Sequence, residues 1–218
     1  MTGSVNRCFV LFVALMSLAV LEISEAQSLD ESLLSIESRW ATAAYETNGR
    51  QQQKTLKTLL EEVRNLHERH PGKAAAAAWH GIVARTYWDV RGSNGSMRLA
   101  KEARDALLEA ESLNPLIFGG VVYANLGALY CEVPAGFGGF GNKTRGIGYL
   151  WKAIVVDPHG IDSNYLYAEV LLDEKDYPAA RDALIRASDA PARPDHPKAD
   201  RGRKMEAANL LAMVEHRL

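Results

Sequence analysis

Between Leu29 and Tyr45 the apolar residues Leu29, Leu33, Ile36, Trp40, Ala43 and Ala44 recur at three- and four-residue steps, which gathers them on one stripe of a helix. Thr47-Asn48-Gly49 ends that stripe. A second helix from Gln51 to His70 carries Leu56, Leu59, Leu60, Val63 and Leu66 inward and stops before Pro71-Gly72. Ala74 to Val90 reads as an alanine-rich helix with Trp79, Gly81, Ile82, Val83, Tyr87 and Trp88. After the polar stretch Arg91-Gly92-Ser93-Asn94-Gly95 another helix runs from Ser96 to Asn114. Two apolar helical segments then flank a glycine-rich loop between Tyr123 and Pro158, and Ile161 to Ala190 forms a pair with a short turn at Asp173 to Pro178. Pro191, Pro194 and Pro197 forbid continuous helix, and a last helix spans Ala199 to Arg217. No segment alternates with the two-residue period of a strand for long enough to compete, so the predicted fold is all-α.

Several of these pairs share a finer spacing. Tyr123, Leu126, Gly127 and Tyr130 stand at the W-x2-L-G-x2-Y interval of a tetratricopeptide helix, and Gly146, Leu150, Ala153 and Pro158 fall where that repeat places small, large, small and proline. Ala103, Leu107, Ala110 and Pro115 repeat the second half of the pattern, as do Ala180, Leu184 and Ala187 after Tyr167, Ala168 and Leu171. The first pair fits poorly. The expected architecture is a tetratricopeptide-like solenoid of about four helix hairpins, with the C-terminal helix covering the last apolar face. Gly127 and Gly146 are predicted to lie where two helices cross at the close end of the usual ~8–10 Å range. Two inserts, Arg91 to Ser96 and Val133 to Asn142, lengthen the turns of the second and third hairpins on one edge.

Composition changes this picture only at the N-terminus. The 218 residues are 47% apolar with net charge −2, long enough for one sizeable domain and without the bias of a disordered chain or of a nucleic-acid partner. Arg7 precedes the apolar run Cys8 to Leu21, too short to span a bilayer comfortably, and Ser24-Glu25-Ala26 offers small residues to a signal peptidase. Residues 1–26 therefore read as a cleaved secretory signal and 27–218 as one domain with no further membrane span. An uncleaved anchor is the alternative. Of the two cysteines, Cys8 belongs to the signal, so Cys131 would stay without an intrachain disulfide.

Candidate chemistry is sparse. Gly141-Asn142-Lys143-Thr144 has the look of a phosphate loop, but its lysine falls one place late and it follows a helix rather than a strand. His67, His70 and His80 lack an H-E-x-x-H spacing and read as surface or helix-end residues. Asp195-His196 lies in the proline linker with no nucleophile motif beside it. No catalytic, metal or cofactor-binding constellation emerges, so the expectation is a non-enzymatic binding protein. Phe137 and Phe140, apolar rings in a glycine-rich insert, either tuck back onto the hairpin or anchor a partner. Together with Tyr123, Tyr130, Trp88, Tyr165 and Tyr167 they form the candidate surface for a protein partner, or the lining of an inter-helix cavity for an apolar small molecule.

The run GALYCEVPAGFGGFGNKTRGIGYLWKAIVVDPHGIDSNYLYAEVLLDEKDYPAARDALIRASDAP resembles the T-component family of tripartite ATP-independent periplasmic (TRAP) transporters. The likeness covers roughly Leu126 to Pro191, and DPHGIDSNYLYAE, Asp157 to Glu169, is its most specific part. The insert PAGFGGFG departs from the family's pattern by lacking a tryptophan and a second proline. The resemblance implies a periplasmic accessory protein that binds the transporter's substrate-binding subunit, with a homotrimer enclosing apolar ligand cavities as its assembly.

Overall fold

The computed structural model describes residues 28–92, 95–136 and 138–218; the expected signal, residues 1–26, and the candidate Phe137 lie outside the described residues. The chain divides into two units at the boundary between Ser35 and Ile36. Of the first, residues 28–35 are described and are helical. The second unit, Ile36–Leu218, holds the helix hairpins.

Helix α1, residues 36–41, runs into a π-helical turn at Thr42–Glu46. Next come α2 (Gly49–Arg69), α3 (Ala74–Val90), α4 (Met97–Leu113), α5 (Val121–Glu132), α6 (Lys143–Val156), α7 (Ile161–Asp173), α8 (Tyr177–Asp189) and α9 (Pro197–Glu215). Among the described residues there is no strand, and no helix is long and apolar enough to cross a membrane. The expected all-α hairpin arrangement is thus the observed one.

The second helices of the last three hairpins each begin at a side-chain cap. Ser96 accepts from the Leu99 N–H, Asn142 from Arg145 and Asp176 from Ala179, which satisfies one of the amide donors a helix start leaves unpaired. Leucines and alanines fill the core between paired helices: Leu56, Leu59, Leu60, Leu107, Leu126, Leu129, Leu150, Leu166 and Leu184 are fully buried.

The close crossing expected at Gly127 and Gly146 is present. A β-carbon at Gly127 would lie 2.6 Å from Leu150 Cγ and 2.9 Å from the Gly146 carbonyl oxygen, so the two backbones meet with no room for a side chain. Gly81 repeats the arrangement in the preceding hairpin, where a β-carbon would come within 2.5 Å of Leu107 Cγ. The template glycines are steric requirements of helix approach.

Helices α3, α5, α7 and α9 pack in succession, and the π-helical turn that follows α1 packs against α9. Lys198 donates to Thr42 Oγ1 across 156 residues of sequence, and the Tyr45 ring lies on Gly202. Trp40 of α1 meets Trp79 of α3 edge to face at 5.6 Å, and its Nε1 donates to Thr86 Oγ1. The inner helices therefore close on themselves around a shared centre. We expect Gly127→Val to lower stability by about 2–3 kcal/mol through overpacking, a fall in melting temperature of roughly 5–10 °C, readable by circular dichroism.

Candidate functional site

The inner helices enclose a cavity of about 310 Å³. Its apolar wall is built from Trp40 on α1, Trp79 and Ile82 on α3, Val121 on α5, Ile161 on α7, and Phe118 in the turn before α5. Trp79 meets Phe118 at 6.2 Å and 61°, continuing the contact between Trp40 and Trp79, so three rings at steep mutual angles line one continuous corner. Phe118 adopts φ +56° and keeps 38% of its surface exposed. A left-handed conformation is uncommon for an aromatic residue and marks local backbone strain at this corner.

The polar wall is charged. Asp162, buried at the start of α7, accepts from Arg203 Nε of α9 at 3.0 Å and from an Arg193 guanidinium N–H at 3.2 Å. Burial alone would raise the Asp162 carboxyl, yet the Arg203 and Arg193 guanidiniums outweigh it and hold the group below its ordinary value. Arg193 also holds Asp200 with both its side chain and its backbone N–H. Arg85 donates to Glu132 at 2.6 Å, and its Nε has no hydrogen-bond partner. Glu37 Oε1 is also buried, and its partner is His196 Nδ1, at ion-pair distance, 3.3 Å away. Burial pushes the Glu37 carboxyl up, opposed by His196 and Arg193.

A second, more polar cavity of about 190 Å³ adjoins the first and shares Trp40, Arg85, Thr86 and Arg203 with it. Asp89, Glu169 and Glu206 line it together with Tyr45 and Tyr165. Burial pushes the Glu169 carboxyl up to about 7 against the pull of Arg203 and Arg85, and Asp89 and Glu206 are raised by the same cause.

The aromatic residues singled out from sequence separate into several places. Tyr123, Tyr130 and Phe140 do come together, but as a packed spine: Tyr149 stacks on Tyr130 at 5.7 Å and on Tyr123 at 6.2 Å, while Phe140 meets Tyr130 edge to face. Arg104 covers the Phe140 ring at 4.5 Å and Arg145 covers Tyr130 at 4.4 Å. Phe140 thus tucks back onto the hairpin, and Asn142 ties the insert to the Tyr130 carbonyl through its own N–H. Trp88 packs beside Gly95 of the other insert, and Tyr167 leans on the exposed Trp151. Among the described residues of that set, Tyr165 is the one that lines either of these two cavities, the smaller one, with Arg203 over its ring at 4.4 Å.

Two other motifs are also resolved by contacts. Lys143, the would-be phosphate lysine, pairs with Glu174. His67 and His80, expected at the surface or at helix ends, are mostly buried and face each other with their Nδ1 atoms 3.0 Å apart; His80 Nε2 meets Glu102 and His67 Nε2 meets Glu109. Carboxylates on α4 draw the two rings inward, a pairing that the spacing on α2 and α3 alone does not reveal. Among the described residues no group of three or more His, Cys, Asp or Glu is placed to hold a metal ion.

The residues that sequence reasoning passed over are Glu37, Arg85, Asp162, Arg193 and Arg203, while His196 enters it only as half of a candidate catalytic pair. A signal was there: Glu37 falls between Ile36 and Trp40 on the stripe assigned to the core, and Arg85 follows Gly81 and Ile82 on another. A charge on a buried face is more informative than an apolar residue there. Neither a protein-family model nor a curated protein matches the chain.

The Glu169 shift fixes a pH dependence. A carboxyl whose folded value is about 7, against an ordinary 4.5, adds stability that is full below pH 4.5 and is lost as pH rises through 7. On the order of 3 kcal/mol is at stake. Glu169→Gln should therefore melt progressively higher than the wild type as buffer is moved from about pH 5 to about pH 8, as scanning calorimetry at each pH would show.

Proposed function

We propose that this chain is a non-catalytic binding protein whose inner-face cavity holds a small molecule. The observation that carries the reading is the cavity itself: about 310 Å³, walled by aromatic and aliphatic side chains with a few convergent charged groups, the make-up of a small-molecule site. Ser163 and His196 both line it but share no hydrogen bond among those described, so no nucleophile and base are joined there. The ion pairs of Asp162, Arg193 and Arg203 hold the wall rigid, which suits recognition.

A second reading, compatible with the first, is a periplasmic accessory protein of a TRAP-type transporter that docks on the substrate-binding subunit. It is supported by position. The run with the strongest resemblance, Asp157 to Glu169, supplies Asp157, Gly160, Ile161, Asp162 and Ser163 to the cavity wall, and Tyr165 and Glu169 to the smaller cavity. A solute held there would be handed on or received by that subunit. The tetratricopeptide-like solenoid belongs to the same proposal, supported by the template spacing and the glycine crossings.

The neutral dye N-phenyl-1-naphthylamine should bind with a micromolar-range Kd and gain fluorescence. Val121→Phe, which places a ring at the cavity wall, should weaken that binding by about tenfold or more while the melting temperature moves by no more than about 3 °C. Equal dye binding by both proteins overturns the cavity reading.

A further inference from the structure

His67 on α2 and His80 on α3 bring their Nδ1 atoms within 3.0 Å of each other, and each side chain is only 14% exposed. A contact this short between two ring nitrogens calls for one proton, because two bare nitrogens oppose their lone pairs and two protonated ones oppose their N–H groups. The outer nitrogens are already committed. His80 Nε2 stands 2.8 Å from Glu102 and His67 Nε2 stands 3.1 Å from Glu109, and an ionised carboxylate can only accept, so both outer nitrogens carry a proton. Burial acts to raise the Glu102 carboxyl, yet Arg64 and His80 outweigh it and keep the group ionised.

The surrounding charges ask for the same count. Arg64 holds Glu102 through Nε and a terminal nitrogen, at 2.5 and 2.8 Å. One guanidinium against the two carboxylates of α4 leaves one positive charge to be made up, and a single proton on the facing Nδ1 atoms supplies it. On α3 the residues one turn either side of His80 are Ala76, Ala77, Val83 and Ala84, all uncharged. Of the other charges on the elements packed here, Glu61 and Glu68 act on Arg64, His70 closes the end of α2, Asp105 pairs with Arg104, Arg39 with Glu62, and Glu132, the one charged residue of α5, with Arg85. Burial holds His80 below its ordinary value against the pull of Glu102, which makes it the acceptor and His67 the donor. A histidine held down in this way adds stability that is whole above its unfolded value of 6.5 and is lost as pH falls from there through the folded value.

We infer that this pair is an acid-sensitive latch: one proton shared between the two Nδ1 atoms ties α2 to α3, and a second, landing on His80 Nδ1, sets two N–H groups head to head and pushes the helices apart. Trp79, the residue before His80, is the middle ring of the corner it forms with Trp40 and Phe118, so release of α3 loosens the wall of the larger cavity. That link to the cavity rests on the small-molecule reading above, whereas the latch itself does not.

Nitrogen NMR of the isotope-labelled imidazoles reads the protons directly. At about pH 7 both Nε2 atoms should show the shift of a protonated nitrogen, while the two Nδ1 atoms report one proton between them; two bare or two protonated Nδ1 atoms overturn the latch. His67→Gln keeps a hydrogen bond in either state, since its amide donates to a bare Nδ1 and, turned over, accepts from a protonated one. From about pH 7 to about pH 5 the wild type should lose about 3–6 °C more in melting temperature than this variant. The difference between the two proteins is the readout, because Glu169 and the pair of Glu37 and His196 are common to both. His80→Gln should flatten the profile in the same way, and takes the place of His67→Gln if circular dichroism shows that variant unfolded. Equal pH profiles in the wild type and a folded variant overturn the latch.

Over the same interval the naphthylamine dye, which stays neutral, should lose about fivefold in affinity for the wild type and keep its affinity for the variant. An affinity that falls alike in both proteins overturns the link to the cavity and leaves the latch standing. A dye that binds neither protein at either pH counts against the small-molecule reading, and the nitrogen shifts and melting profiles then decide the latch.

Discussion

The centre of this fold depends on one buried carboxylate. Asp162 stays ionised only because guanidiniums from the linker and from α9 meet it, and a carboxylate buried without such partners would be protonated or would unfold its surroundings. Arg203 is carried by the helix that begins 35 residues later in sequence, at Pro197, and Arg193, in the linker before it, is tied to the same helix through Asp200. The pairing therefore decides where α9 sits, and α9 in turn completes the wall that began with α1. Removing either arginine would leave a buried charge, which is costlier than never having built the pair.

Much of the fold was legible before any coordinates, for a physical reason: hairpins are local. The apolar stripe of α3 ends where the structure ends it, at Ala74 and Val90, because flanking polar and turn residues act on their immediate neighbours. Gly127 and Gly146 could be paired from spacing because two antiparallel helices joined by a loop have few ways to cross. The π-helical turn at Thr42–Glu46 was not legible. It is a departure in hydrogen-bond register within a segment whose side-chain stripe looks helical throughout, and the Tyr45 ring lying on Gly202 is a contact between distant parts of the chain.

The cavity was not legible for the same reason turned round. Its wall joins Glu37 to His196 and Trp40 to Arg203, pairs separated by about 160 residues, and no local period encodes such meetings. Aromatic content was a poor guide: Tyr123, Tyr130 and Phe140 are abundant in one hairpin because they stack on Tyr149 and carry arginines, a packing solution complete in itself. Charge out of place was the better guide. Glu37 and Arg85 each break a core stripe, and each pairs with a charge far along the chain, His196 and Glu132.

The polar residues of the DPHGIDSNYLYAE run take on structural roles that shape the cavity. Asn164, fully buried, donates to the carbonyls of Pro158 and Gly160 and accepts from Arg186, which pins the turn before α7. Asp162 anchors α9 from the next turn of chain. A run that spends its polar side chains on fixing one wall makes that wall rigid.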